Sequence, residues 1–183
     1  MVDRPLAIVR ATRGSAWSAL RARERARATM QIWVDADACP GAAKELVFRA
    51  ATRLHIRVCL VANRPIGLPD SPLFTRVQVR PGSDVADAYI AQHVGAGDMV
   101  ITADIPLAAL VVARGALALD PRGELHTADT IAERLAMRNF MEELRWAGLA
   151  TGGPAAYGPA DRRRFAQVLN RVLEQQLRAG SAS

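Results

Sequence analysis

Short apolar runs separated by longer stretches with helical spacing organise the middle of this chain. Residues 31–36 read as a first strand ending in acid, Ile32-Trp33-Val34-Asp35. Pro40 suits a first helical turn, and residues 42–54 carry polar positions Lys44, Glu45, Arg49 and Arg53 at helical spacing. Residues 56–62 form a nearly continuous apolar run, the pattern of a buried parallel strand. Residues 63–71, with Pro65, Gly67 and Pro69, form a loop, and residues 75–80 alternate as a shorter strand. Asp84 is placed to cap a helix over 84–94. A fourth strand follows over 98–102, then a helix over 105–114 ended by Gly115 and a final short strand over 116–119. From His126 the pattern changes to two amphipathic helices, 127–146 and 161–178, joined by a turn-rich connector over 148–154.

Strand–helix alternation with such connections predicts an α/β fold. Its central sheet is mostly parallel, with helices on both faces. The expected organisation is one α/β domain over 30–179 that includes the C-terminal helices, a basic extension over 1–29 and a short tail over 180–183.

Charge changes the picture less than its total of +6 suggests. Residues 1–29 hold seven arginines against Asp3 and Glu24, a net +5, so the remainder carries only +1. The extension reads as a free basic arm, as an Arg-rich targeting peptide, or as residues upstream of a natural start at Met30, and Met30 adjoining the first strand favours the last. The apolar runs are too short to span a bilayer, so no membrane association is expected. Cys39 and Cys59 match no zinc spacing and suggest no disulfide scaffold, which points to a cytoplasmic protein. Composition leaves the oligomeric state open.

The candidate chemistry lies in aspartates. Asp35 and Asp37 follow the first strand, Asp104 follows the fourth, and Asp84 and Asp87 open a helix between them. Acids after parallel strands gather at the carboxyl edge of a sheet. Such a cluster suits Mg²⁺ or Mn²⁺, which prefer oxygen ligands, and hence metal-dependent phosphodiester chemistry. Three of these acids also have a structural reading as a helix cap: Asp37 for the helix near Pro40, Asp84 (or Ser83) for the next, and Asp104 for the third. Asp120, before Pro121, is either a fourth acid or the start of a turn. Thr102 either orients a metal-bound water or ends its strand. Cys39 is a candidate reactive thiol at a helix start, with a small buried residue as the favoured reading. Gly152, Gly153, Arg162 and Arg163 form the chief basic feature after Met30 and suit a substrate phosphate; the alternative is a glycine turn before a helix capped by Asp161. His55, His93 and His126 share no ligand spacing and are expected to be solvated.

The motifs Trp33-Val34-Asp35-Ala36-Asp37-Ala38-Cys39-Pro40, Gly82-Ser83-Asp84-Val85-Ala86-Asp87, Thr102-Ala103-Asp104-Ile105-Pro106-Leu107-Ala108 and Gly152-Gly153-Pro154 resemble the signatures of the YaiI/YqxD family, a bacterial family of undetermined function. The likeness runs from Met30 to about Leu177 and leaves out the extension. One departure is Thr130, where the family pattern leads one to expect asparagine. The resemblance implies a PIN-like three-layer α/β/α sandwich. By motif position it makes Asp35, Asp87 and Asp104 the metal-gathering acids of a PIN-like nuclease acting on RNA or DNA, with Asp37 and Asp84 in support. Two other readings stand beside it. Asp35-x-Asp37 after a strand also opens haloacid-dehalogenase-like phosphatases, with Asp35 as nucleophile. A non-catalytic module that binds nucleic acid or protein is the third.

Overall fold

The computed structural model describes residues 30–82, 84–149 and 155–179. The expectations for the basic extension, for Gly152 and Gly153, and for the tail lie outside those residues.

Strand β1 (Gln31–Asp35) is followed by helix α1 (Gly41–Leu54), β2 (Arg57–Ala62), β3 (Phe74–Gln78), α2 (Val85–His93), β4 (Met99–Ile101), α3 (Ile105–Val112), β5 (Leu117–Leu119), β6 (Leu125–His126), α4 (Ala128–Trp146) and α5 (Pro159–Ala179). The six strands form one sheet in the order β3-β2-β1-β4-β5-β6. All neighbours are parallel except the edge pair β5 and β6. Helices cover both faces, giving the expected three-layer α/β/α sandwich.

Strand alternation sorts the core into two halves. Ile32 and Val34 of β1 with Val58 and Leu60 of β2 meet Val47 of α1 and Phe165, Leu169 and Leu173 of α5. Trp33 and Val61 face the other way, onto Ile90 of α2, Leu107 and Val111 of α3, and Ile131 of α4. Asp35 follows Trp33 by two residues, so it belongs to the second face, under α2 and α3. Strand order reverses at β1, where chain order runs outward to β2 and β3 on one side and to β4 and β5 on the other. The carboxyl ends of β1 and β4 flank that switch point, where open α/β sheets bind ligands.

At the opposite edge the sheet is pinned by Asp98, which is buried. Its carboxylate accepts the Gln31 N–H at 2.8 Å, the Trp33 indole Nε1–H at 3.0 Å and the Gly95 N–H at 2.9 Å. Three donors satisfy a buried charge that would otherwise be costly, and they lock β1 against the entry to β4.

Several expectations need correction. The strand over 116–119 is not the last: the Asp120 turn returns the chain as β6, with Leu119 opposite Leu125 and Ala118 opposite His126. His126 is therefore 1% exposed rather than solvated, and burial lowers its pKa. Asp84 does occupy the N-cap position of α2, but at φ 61° and without a side-chain capping bond. Asp37 does not cap α1, whose N-cap is Pro40 without a side-chain bond. Asp161 lies inside α5, where it accepts the Gly158 N–H at 3.0 Å from just before the helix. Thr130, the departure from the family pattern, accepts the Thr127 N–H at 3.0 Å and so closes the start of α4.

Candidate active site

Asp35 ends β1 and is 6% exposed. Thr102, the first residue after β4, donates its hydroxyl to Asp35 Oδ2 at 3.1 Å and accepts the Asp104 N–H at 3.0 Å. Thr102 is thus a polar bridge across the switch point, with Asp104 behind it. Asp104 Oδ1 accepts the Leu107 N–H at 2.7 Å and caps α3. The capping and the site readings of Asp104 are compatible, because one carboxylate oxygen makes the cap and the other is left over.

Asp87 reaches the same place from α2. Tyr89 lies edge-on to Trp33 with ring centroids 6.5 Å apart and stacks on His93 at 4.0 Å. Ile90 and Ala91 pack into the core. Asp87 precedes those two by three and four residues, which places it on the same helix face one turn nearer the carboxyl edge.

The electrostatics tie the three acids together. Burial, above all, raises the Asp35 carboxyl, and the charges of Asp37 and Asp104 add to it against the Thr102 and Ala38 hydrogen bonds. Asp87 is pushed up to about 6, first by burial and then by Asp35, Asp104 and Asp84. Among the described residues, the side-chain charges that shift Asp35 and Asp87 are all acidic. Lys44, on the first helix after β1, donates its ammonium to the Ala36 carbonyl at 3.1 Å. Acids from β1, α2 and the β4–α3 junction are therefore held together against their own repulsion. They do not form a closed cage: among the described residues, no group of three or more His, Cys, Asp or Glu side chains is placed to hold a metal ion.

Most of the other candidates have partners of their own, although Asp37 also acts on Asp35 and Asp84 on Asp87 through their charges. Asp37 Oδ2 accepts the Asn63 N–H at 2.7 Å and Oδ1 pairs with Arg64 Nε at 3.2 Å. Asp37 fastens the loop after β2 to the loop after β1. Asp84 is exposed and acts on Asp87 only through its charge. Asp120 heads the β5–β6 turn, where its Oδ1 accepts the Arg122 N–H at 2.5 Å. Burial raises its pKa, and the charges acting on it are His126, Glu124 and Arg122, not the three acids. Cys39 is buried, and its thiol is pushed up to about 12. That is the reverse of a reactive cysteine. Arg162 pairs with Glu45 of α1 at 3.7 Å, and Arg163 is exposed beside it. Both sit in the layer across the sheet from Asp87 and Asp104.

Sequence reasoning missed Asp98, Lys44, Arg64 and Arg122. Arg122 pairs with Asp161 at 2.9 Å and also donates to the Ala155 carbonyl, tying the β5–β6 turn to the start of α5. Asp98 carried a signal in hindsight, an acid directly before an apolar run; Lys44 and the two arginines carried none, because each depends on a partner some way off in sequence.

The model of the family described as "Uncharacterized BCR, YaiI/YqxD family" matches residues 33–175. A UPF0178 protein of Bordetella petrii is 58% identical over 150 residues, covering 82% of this chain and 100% of that relative. A UPF0178 protein of Dechloromonas aromatica is 59% identical over 144 residues, 79% of this chain and 96% of the relative. One from Bordetella avium is 59% identical over 147 residues, 80% and 96% of the two chains. No solved structure matches. Among the described residues no helix is long and apolar enough to cross a membrane.

Proposed function

This chain belongs to the YaiI/YqxD family, and we propose that it hydrolyses phosphodiester bonds of RNA or DNA with a divalent cation, Mg²⁺ or Mn²⁺, drawn to Asp35, Asp87 and Asp104. The observation that carries this reading is that the charges of Asp35 and Asp104 both raise Asp87, and that of Asp104 raises Asp35, at the sheet's switch point. Like charges confined together raise each other's pKa, and a bound cation reverses that cost.

The donor set fits a hydrated ion rather than a caged one. Mg²⁺ keeps several waters and needs only one or two carboxylates directly. Asp35 and Asp87 are the direct ligands of this reading, and the second oxygen of Asp104 supports them. When bound, such an ion supplies an activated water and neutralises charge on the leaving oxygen. Thr102 holds the Asp35 carboxylate in place. The phosphatase reading asks Asp37 to act as a free acid, whereas its Oδ2 accepts the Asn63 N–H and Arg64 pairs with its charge.

Calorimetry with Mg²⁺ and Mn²⁺, with and without a labelled oligonucleotide, tests the proposal alongside a cleavage assay. Wild type is expected to take up the ion and cut. The Asp35→Asn, Asp104→Asn double variant should do neither, while Asn at 104 still caps α3. Wild type that takes up no ion even with oligonucleotide present sinks the idea. Tight, metal-independent RNA binding without turnover would mark a binding module instead.

A further inference from the structure

Helix α4 is the least covered element of the fold. Of its 19 residues only Ile131 is buried. Met137, Phe140, Met141 and Leu144 recur at i, i+3, i+4 and i+7, which places them in one stripe. Met137 is 53% exposed, Phe140 54% and Met141 37%. Trp146 and Leu149, at the same end of the helix, are exposed as well. Scattered apolar residues on a surface are ordinary, but an apolar stripe at helical spacing marks a contact face.

We infer that this stripe is the interface of a homodimer, in which two copies of α4 pack across a two-fold axis beside Phe140 and Met141. Three observations select a second copy of this chain. First, the charge on α4 is nearly balanced, Asp129, Glu133, Glu142 and Glu143 against Arg134, Arg138 and Arg145. Arg138 pairs with Glu142 within the helix, and Arg134 pairs with Glu124. A polyanion or an acidic membrane finds no basic face here, whereas a near-neutral face opposes itself without repulsion. Second, the stripe together with the polar side chains that flank it offers on the order of 500 Å² per copy, so pairing removes about 1,000 Å², the threshold of a specific interface. Third, a recess of about 320 Å³ lined by Glu124, Leu125, Thr130, Glu133, Arg134 and Met137 adjoins the stripe. It can receive a side chain of the opposing copy, and a two-fold contact uses stripe and recess twice. The helix lies wholly within the matched region 33–175, so residues 1–29 are not needed to explain its apolar face.

Light scattering and sedimentation of the full chain over a wide concentration range test this. Wild type is expected at twice the chain mass of 19.7 kDa. Phe140→Asp and, separately, Met141→Asp should each halve that mass with helical content unchanged, because neither side chain is buried within one copy. Wild type at the single-chain mass throughout, or both variants still dimeric, overturns the inference. So does a monomer in which a benzophenone at position 140 cross-links to residues 1–29, since that names the amino-terminal segment as the occupant.

Discussion

The Thr102 hydroxyl donates to Asp35 Oδ2 across 3.1 Å, joining the ends of two adjacent parallel strands through a side chain rather than the backbone. This bond opposes the burial that raises the Asp35 pKa. Thr102→Val keeps the shape and deletes the donor, leaving Asp35 Oδ2 and the Asp104 N–H without a partner. Denaturant titration at neutral pH should show a loss of about 1–3 kcal/mol. Any ion uptake should need a higher pH than in wild type, because the Asp35 carboxyl is then held further above its usual range. Unchanged stability would mean that Thr102 merely ends its strand.

Asp87 gives a pH dependence of defined sign. Its folded pKa of about 6 lies above its ordinary value of 3.8. The folded state thus holds the proton more tightly than the unfolded chain, and this contribution to stability is complete below about pH 4 and lost as pH rises through 6. Asp87→Asn should stabilise the protein at pH 7 by on the order of 1 kcal/mol, discounted for the solvent that reaches this partly exposed group. The difference should vanish near pH 4. Melting curves across that range decide it, and a variant less stable than wild type at pH 7 would contradict the repulsion argued for the cluster.

Asp98 is expected to matter for folding alone. Asp98→Ala leaves the Gln31 N–H, the Gly95 N–H and the Trp33 indole without their acceptor. A loss of roughly 3 kcal/mol or more follows from several buried donors left unpaired. Chemical denaturation followed by tryptophan fluorescence measures it. Asp98→Asn, which keeps an acceptor, should cost less.

Gly123 is a site of close approach. It has φ +84°, and a Cβ there would lie 2.7 Å from the Arg164 backbone on α5. Gly123→Ala combines an unfavourable backbone with a collision that no flexible side chain can relieve, so about 2–4 kcal/mol should be lost. If its melting temperature matches wild type, the turn does not pack on α5 as described.

Both cysteines are buried, and burial raises both thiols. Thiol reagents should therefore label the native protein slowly and the denatured protein at once. Fast modification of native Cys39 would revive a reactive role for it.

Much of this architecture was legible in the chain because strand and helix periods are local. The run ending at Asp35, the apolar strand over 56–62 and the helix after Ile105 each announce themselves within a few residues. The strand β6 did not, since two residues carry no period, and His126 was misjudged with it. Asp37 and Asp104 look alike in sequence, each an acid between a strand and a helix. Their difference lies in which donors reach them: the Asn63 N–H and Arg64 for one, the Leu107 N–H for the other.

The sequence by itself determined the element order apart from β6, the parallel part of the sheet and the placing of Asp35 and Asp104 at its carboxyl edge, because alternation of strands and helices leaves few right-handed ways to connect them. It also identified the family. Only the tertiary structure decided that Asp87 feels the charges of those two acids and that Asp37 holds the Asn63 N–H. Only it showed that Asp98 pins the far edge and that one face of α4 is left bare. Those outcomes depend on which groups meet across 26 to 67 residues of chain, and such meetings follow from the packing of layers rather than from any local pattern.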